Sequence, residues 1–292
     1  MSDLTGFLVI DKPSGLTSHD VVVRVRRLVG HTVKVGHAGT LDPAATGVLP
    51  VAVGSATRLI DHLVGARKGY IGVVRLGVQT TTDDAEGEVI AMQPVPALSV
   101  TVIESVLERF RGNILQQPPA FSALHIDGKR AYVRARAGDH ITLAPRPVRI
   151  DRLELVAYQL PDLTIVVECG KGVYVRALAR DIGAALGCGA HLVALRRTFT
   201  GPFRLEQAIP LDELTDQATL IQHLLPPEVV LDDWPVLHLD EATARRVRHG
   251  MAIPADDNNL SRARAHDPTG RLIALLRRDG GRWQPLKVFG DS

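Results

Sequence analysis

The chain has 292 residues, 45% hydrophobic and 23% charged, with 26 Gly and 18 Pro, an ordinary globular composition with room for one large domain or a large and a small one. It has no run approaching the ~18 apolar residues of a membrane helix, no basic-then-apolar leader in MSDLTGFLVIDKP, and only two cysteines, Cys169 and Cys188, too few for a disulfide framework; a reducing, cytoplasmic setting without a membrane partner is expected. The net charge of +2 hides basic blocks: residues 1–80, 101–150 and 241–292 carry 9, 8 and 10 basic side chains against 5, 4 and 6 acidic ones, whereas 201–240 carries 1 against 8.

Residues 6–10, GFLVI, read as a strand, and Asp11-Lys12-Pro13-Ser14-Gly15 as the turn leaving it. A helix is expected from Ser18 to about Val29. Thr17 and Asp20 have capping-box spacing, Val21, Val22, Val25, Leu28 and Val29 have helical period, and Gly30 is the stop. Residues 36–47, GHAGTLDPAATG, form a loop of almost no bulk. GVLPVAVG then reads as a strand and Ser55 to about Val64 as a helix. Residues 70–78 alternate as a strand, with Tyr70, Val74 and Leu76 on one face. An acidic turn, TTTDDAEGE, leads into VIAM. A helix over 99–111 places Val100, Ile103, Val106, Leu107 and Phe110 on one side. Residues 112–149 look Pro-flanked, basic and irregular. Strands follow at 150–158 and 163–169, then a helix from about Val175 to Leu186 stopped by Gly187. Residues 207–235, acidic and weakly patterned, are the best boundary. Beyond it come a short helix, Asp240 to His249, and strands RLIALLRR and PLKVFG, a small basic β-rich unit.

The loop around Asp42 has the most chemical character. His37, Thr40 and Asp42 stand among glycines and alanines. Gly admits a ligand close to the backbone, and Pro43 drives Asp42 out of helical backbone geometry. Either the loop presents a carboxylate and an imidazole to a ligand, or Asp42 caps the next element. The loop lacks a GK[ST] and is no P-loop. Cys188-x-x-His191 is a lone pair of potential ligands, and His19, His31 and His37 form no zinc pattern, so no metal is expected. Arg176 falls at the start of a predicted helix, where a cation opposes the dipole at a cost of about 0.3–1 kcal/mol. A buried carboxylate partner would account for it, and so would a solvated side chain. Tyr70, on the apolar face of its strand, is either core or a stacking platform. Arginine supplies 28 of the 34 positive charges; phosphate recognition and high-GC codon usage both explain that excess.

Several segments together carry a resemblance. Gly36-His37-Ala38-Gly39-Thr40-Leu41-Asp42-Pro43-Ala44-Ala45-Thr46-Gly47-Val48-Leu49 resembles the catalytic motif of the TruB-type tRNA pseudouridine synthases. Val9-Ile10-Asp11-Lys12-Pro13-Ser14-Gly15-Leu16-Thr17-Ser18, Lys68-Gly69-Tyr70, Thr82-Asp83-Asp84-Ala85-Glu86-Gly87 and Gln117-Pro118-Pro119-Ala120-Phe121-Ser122-Ala123 agree in order and spacing. So do Gly128-Lys129-Arg130-Ala131-Tyr132, Lys171-Gly172-Val173-Tyr174-Val175-Arg176, Gly187-Cys188-Gly189-Ala190-His191-Leu192 and Leu195-Arg196-Arg197. The match covers about residues 6–203. Gly69 departs from it, since many members carry a bulky or charged residue there.

The resemblance implies an α+β fold. A catalytic domain over 1–232 would be built on a mixed, largely antiparallel β-sheet flanked by helices and loops, with an RNA-binding insertion at about 112–149. A small PUA-like β-barrel would occupy 236–292. It implies an enzyme that isomerises uridine to pseudouridine at position 55 in the T-loop of tRNA, with the base flipped out of the loop. Asp42 matches the family's catalytic aspartate, Arg176 its partner, and Tyr70 the aromatic that stacks on the target base and is a candidate for proton transfer. Lys12 and Leu195 match pocket-shaping positions, and His37 the residue holding the T-loop. Tyr174 and Asp84 fall among substrate-binding positions, and Lys129, Arg130 and Arg134 belong to the segment that grips RNA. The implied partner is the T-arm stem-loop of tRNA, acted on by a cytoplasmic monomer without obligate protein partner, cofactor or metal. Two other readings stand beside this one. One is a non-catalytic RNA-binding or RNA-folding protein on the same scaffold. The other is a nucleoside hydrolase, which needs a second carboxylate, for which Asp84 is the candidate.

Overall fold

The computed structural model describes residues 4–122, 125–126, 129–130, 134, 143–256 and 260–289. In chain order the first elements are β1 (Gly6–Lys12), α1 (Ser18–Val29), β2 (Val35–His37), β3 (Thr46–Val53), α2 (Ile60–Val64), β4 (Lys68–Leu76), β5 (Val78–Thr80), β6 (Val89–Met92) and α3 (Val100–Glu108). Then come β7 (Gly112–Gln116), β8 (His125–Ile126), β9 (Lys129–Arg130), β10 (Arg146–Gln159), β11 (Asp162–Cys169), α4 (Val175–Ala185), β12 (Ala190–Thr200), β13 (Phe203–Arg204), β14 (Ile209–Pro210) and α5 (Gln217–Gln222). The C-terminal elements are β15 (Val236–His238), α6 (Glu241–Arg248), β16 (Ile253–Pro254), β17 (Arg262–His266), β18 (Leu272–Asp279) and β19 (Arg282–Val288).

Local chemistry explains the helices. Thr17 and Asp20 close the expected capping box on α1: the Asp20 amide donates to Thr17 Oγ1 at 3.1 Å and the Thr17 amide to Asp20 Oδ2 at 2.8 Å. Such a cap stabilises by about 0.5–2 kcal/mol. Val21, Val22, Val25 and Val29 are buried. In α3, capped by Ser99, the apolar face is narrower than its spacing predicts: Ile103, Val106 and Leu107 are buried but Val100 is exposed. It sits in the first turn, before the helix reaches the sheet.

One ten-stranded sheet organises the large unit. Its main path is β14-β1-β3-β12-β4-β11-β10-β7, with β2 on β3 and β13 on β12. Only the β1–β14 and β12–β3 pairs are parallel, so the sheet is mixed and largely antiparallel. Alternation along β1 shows its two faces. Leu8 and Ile10 join α1, α3 and α4 in one core, while Phe7 and Val9 join Ala56, Leu59, Leu63, Leu231 and Trp234 in a second. The second core also holds Leu272, Leu275 and Phe289, so the C-terminal sheet packs on the large one. That smaller sheet has five strands in the order β15-β17-β18-β19-β16.

Several elements differ from the sequence pattern. The stretch 112–149 is not irregular throughout. Gly112–Gln116 pairs with Arg146–Ile150 at the sheet edge, where Leu115 takes an exposed position and so breaks the hydrophobic alternation. Residues 123–124, 127–128, 131–133 and 135–142 of this segment lie outside the described residues. Residues 54–59 form a tighter 3-10 turn before α2. Residues 207–235 are no linker: β14 pairs with β1, the Phe7 amide donates to Leu225 O, and Leu211, Leu214, Leu220 and Leu231 are buried. These leucines sit in turns and a six-residue helix, α5, too short to show a period.

Gly69, the departure from the family pattern, has a local cause. A Cβ there would lie 2.2 Å from the Phe199 ring, whose residue is its register partner. Gly47 is more constrained still. It adopts φ +98°, and an added Cβ would stand 2.2 Å from the backbone oxygen of Arg197. Gly47→Ala is expected to destabilise by about 2–5 kcal/mol, from backbone strain and overpacking together. Urea unfolding checks this; an unchanged midpoint would contradict the close approach of β3 and β12.

Candidate active site

The loop between β2 and β3 is built from beneath. Ala38, Leu41 and Ala45 are buried, leaving Asp42 raised between them. Ser18, at the first turn of α1, hydrogen-bonds both the amide and the carbonyl of Leu41, at 2.9 and 3.2 Å. The Gly15 amide and Lys12 Nζ both donate to Pro43 O, at 2.9 and 3.0 Å. Lys12 is fully buried and also donates to the carbonyls of Pro13 and Leu16. Burial pulls its ammonium down to about 8, with Asp42 opposing the fall. Lys12 is thus a strut under the loop rather than an open contact.

The Asp42 side chain does not end as a local cap. Its Oδ2 meets Arg176 Nε at 3.0 Å, with the carboxylate 42% exposed and the arginine side chain only 8% exposed. Arg176 stands in the first turn of α4, where the dipole disfavours a cation. Four acceptors offset that cost. Beyond Asp42 they are Asp84 Oδ2 at 3.4 Å, Thr82 O at 3.0 Å and Phe121 O at 2.9 Å. Asp84 is itself committed: its Oδ1 accepts from the Thr82 hydroxyl and from the Glu86 amide. It therefore stands behind the arginine, not across an open space from Asp42 as a second hydrolytic carboxylate would.

Tyr70 is buried on β4, with Arg197 as its register partner on β12. Burial pushes the phenol up, and Arg197 opposes this. His37 ends β2, half-buried, and its Nδ1 is buried without a hydrogen-bond partner among the described residues. Burial, then Arg197, lower its proton affinity. Leu195 is half-buried on β12, its carbonyl 3.5 Å from the Thr46 hydroxyl. The Tyr174 ring lies under Arg146, 5.4 Å from guanidinium carbon to centroid. Lys129 and Arg130 form the two-residue strand β9, but their side chains lie outside the described residues; Arg134 is half-buried. Among the described residues no group of His, Cys, Asp and Glu is arranged to hold a metal. His191 hydrogen-bonds Val78 O instead of pairing with Cys188. A shallow cleft of about 400 Å³ bordered by Arg26, His31, Lys34 and Ile60 includes none of the predicted site residues.

Family models match successive stretches of the chain. They are the N-terminal domain of the TruB family pseudouridylate synthases over residues 26–175, the C-terminal domain of tRNA pseudouridylate synthase B over 176–233, and the C terminus of tRNA pseudouridine synthase II over 234–290. The "tRNA pseudouridine synthase B" of Arthrobacter sp. (strain FB24) is 43% identical over 301 residues, covering 99% of this chain and 98% of that protein. That of Mycobacterium tuberculosis (strain ATCC 25618 / H37Rv) is 45% identical over 288 residues, covering 97% and 95%. The chain belongs to the TruB family of pseudouridine synthases. Among solved structures, a chain of "Crystal Structure of a Cbf5-Nop10-Gar1 Complex" is 27% identical with a TM-score of 0.73, covering 98% of this chain and 85% of that one. A pseudouridine synthase is an isomerase, and nothing in these similarities favours the non-catalytic reading.

On this TruB scaffold, contacts without a sequence signal tie α4 to the insertion. Gln116, 1% exposed, accepts from the Tyr174 amide at 2.9 Å and donates to Tyr174 O at 3.1 Å. Arg180 donates to Gln117 O at 2.8 Å and pairs with Asp83 at 2.8 Å. Asp83 holds the left-handed backbone, φ 60°. Arg197 appears in the sequence only as part of a motif, yet it is fully buried and donates to Val48 O, Gly39 O and Thr40 O. Its inward aim follows from register shifts on either side, between Leu192 and Ala194 and between Arg197 and Phe199. These break the alternation that would have marked it.

Proposed function

We propose that this chain isomerises uridine to pseudouridine at position 55 in the T-loop of tRNA. The observation that carries the reading is the partly exposed Asp42 carboxylate held at 3.0 Å by a buried arginine, on a loop braced from below. Asp42 reacts at C1′ or stabilises positive charge developing there. The N1–C1′ bond breaks, the uracil turns, and C5–C1′ forms. Tyr70 stacks on the base and accepts the C5 proton, and N1 takes a proton from solvent. No electron or group is exchanged overall, so neither a redox cofactor nor a metal has a step to perform. Arg176 aims the Asp42 carboxylate.

Binding rests on other groups. The names of the relatives support tRNA as substrate. His37, with its buried unpartnered Nδ1, suits a contact to the folded T-loop, and Leu195 and Tyr174 border the flipped base. Residues 1–232 form the catalytic domain and 236–292 a PUA-like RNA-binding domain, a reading supported by the five-stranded sheet and the basic residues Arg245, Arg246 and Arg248 of α6. The protein acts as a cytoplasmic monomer. The direct test is reaction with a T-arm stem-loop RNA, chemical mapping of pseudouridine and product mass. An unchanged mass with a mapped modification is expected. Loss of uracil from the RNA would make the chain a hydrolase.

Lys129, Arg130 and Arg134 are assigned to gripping phosphates. Replacing all three with alanine should weaken RNA binding and make the salt dependence of log K shallower by about 0.7–0.9 per lost contact. Single-turnover chemistry at saturating RNA should fall much less. An unchanged salt slope would place the RNA elsewhere.

A further inference from the structure

We propose that Gln116 is a positioning residue for the isomerisation: acting as the cap of α4 from a distant strand, it fixes where that helix begins and so where the Arg176 guanidinium meets Asp42. This rests on the reading that Asp42 reacts and Arg176 aims it. Helices α1, α3, α5 and α6 are each capped by their own N-cap side chain, those of Thr17, Ser99, Asp216 and Asp240. Helix α4 is not. Its N-cap, Tyr174, makes no side-chain cap, and Ala177 at the third helical position has no polar side chain to reach back. In a capping box that third residue accepts from the amide of the N-cap. Gln116 performs the task from β7, 58 residues away: its Oε1 accepts from the Tyr174 amide at 2.9 Å. Its Nε2 donates to Tyr174 O at 3.1 Å, the carbonyl that also accepts from the Leu178 amide at 3.0 Å and closes the first turn of the helix. A carboxamide carries an acceptor and a donor at one tip, so it can hold both backbone groups of one residue at once.

This grip falls two residues before Arg176, which must place one rigid fork on several acceptors: Asp42 Oδ2 at 3.0 Å, Thr82 O at 3.0 Å and Phe121 O at 2.9 Å. A planar guanidinium engaged at three points tolerates little rotation or slip of the helix that carries it. Gln116 is 1% exposed, so its carboxamide is committed to Tyr174 rather than shared with solvent. Its register partner on β10 is Arg146, whose guanidinium carbon lies 5.4 Å from the Tyr174 ring centroid. The backbone of Tyr174 is thus held by one strand of the pair and its ring by the other. The chain after Gln116 continues the clamp: Gln117 O accepts from Arg180 at 2.8 Å, and Phe121 O from Arg176. Those two contacts engage side chains, which can re-aim by rotation about their own bonds. Gln116 engages the backbone of the helix, and so sets the point from which both arginines project.

The test is a double-mutant cycle of Gln116→Met with Arg176→Lys, read as single-turnover rate at saturating stem-loop RNA. Methionine fills the same space without either hydrogen bond. Gln116→Met should lower the rate by about 10–100-fold, the cost of a misplacement on the order of an ångström, with RNA affinity within about threefold. In the Arg176→Lys background the same substitution should cost about threefold or less, because the fork that it misaligns is already gone. Removing an unrelated cap, that of α5 through Asp216→Ala, should lower the melting temperature without moving the rate. Should Gln116→Met fail to fold, Gln116→Glu takes its place in the cycle. It keeps the acceptor for the Tyr174 amide and loses the donor to Tyr174 O, so a smaller loss with the same dependence on Arg176 is expected. Equal factors in both backgrounds would overturn the inference and make Gln116 an ordinary buried cap. So would a loss confined to RNA affinity, which would tie Gln116 to the Tyr174 ring instead. An Arg176→Lys chain that reacts at the wild-type rate would remove the reading of Arg176 as the residue that aims Asp42, and the inference would fall with that reading.

Discussion

Asp42→Asn should lower single-turnover pseudouridine formation by at least about 10⁴-fold while RNA affinity stays within about tenfold, or 1.4 kcal/mol. The substitution keeps the shape of the side chain and removes its charge and nucleophilicity. The asymmetry has a physical source. On the proposed mechanism binding is spread over many phosphate and shape contacts, whereas bond breaking at C1′ depends on one carboxylate. The fold should be little affected, because the loop is fastened through the backbone by Ser18, Gly15 and Lys12, and the buried Arg176 keeps Asp84, Thr82 O and Phe121 O as acceptors. Rates, affinities and melting temperatures together check this. A variant that still converts uridine near the wild-type rate would remove Asp42 from the chemistry. A variant that loses binding and rate equally would make it a substrate contact.

Arg176 should behave differently, because it is buried and serves two carboxylates. Arg176→Lys keeps a cation but loses the planar fork that reaches Asp42, Asp84, Thr82 O and Phe121 O. Its rate is expected to fall by about 10–100-fold, a loss of roughly 1.4–2.7 kcal/mol. Arg176→Ala should cost at least about 10³-fold, since Asp42 loses the buried guanidinium that fixes its carboxylate. The alanine variant also leaves Asp84 without its ion-pair partner, so stability should fall by about 3–5 kcal/mol. Measuring urea midpoints and rates for both variants separates the two roles. Equal rates for Lys and Ala would mean that the charge of Arg176 has no part in the reaction.

Much of this arrangement was legible in the residues. Helix α1 declared itself through Thr17, Asp20 and four buried valines, because caps and periodicity are local. Arg176 was legible as an anomaly, a cation at a helix start, and the buried ion pair accounts for it. Asp42 was ambiguous between a cap and a reacting group until the position of Arg176 decided where its side chain goes. Other features depended on contacts between distant segments. Nothing near Gln116 marks it, since its partner Tyr174 is 58 residues away. Arg197 was hidden by the register shifts of β12, and the strand at 112–116 by its place on an edge. The leucines of 207–235 find their core only after β14 docks on β1.

The segment between β7 and β10 is anchored at both ends to the helix that carries Arg176. On the entering side, Gln116, Gln117 and Phe121 are tied by hydrogen bonds to Tyr174, Arg180 and Arg176; on the leaving side, Arg146 lies on the Tyr174 ring. All these attachments converge on the first two turns of one helix. A displacement of Gln117 or Phe121 is therefore passed by hydrogen bonds to Arg180 and to the guanidinium that holds Asp42. A change at either end of this segment is thus felt at the helix that carries Arg176 as well as at the segment itself.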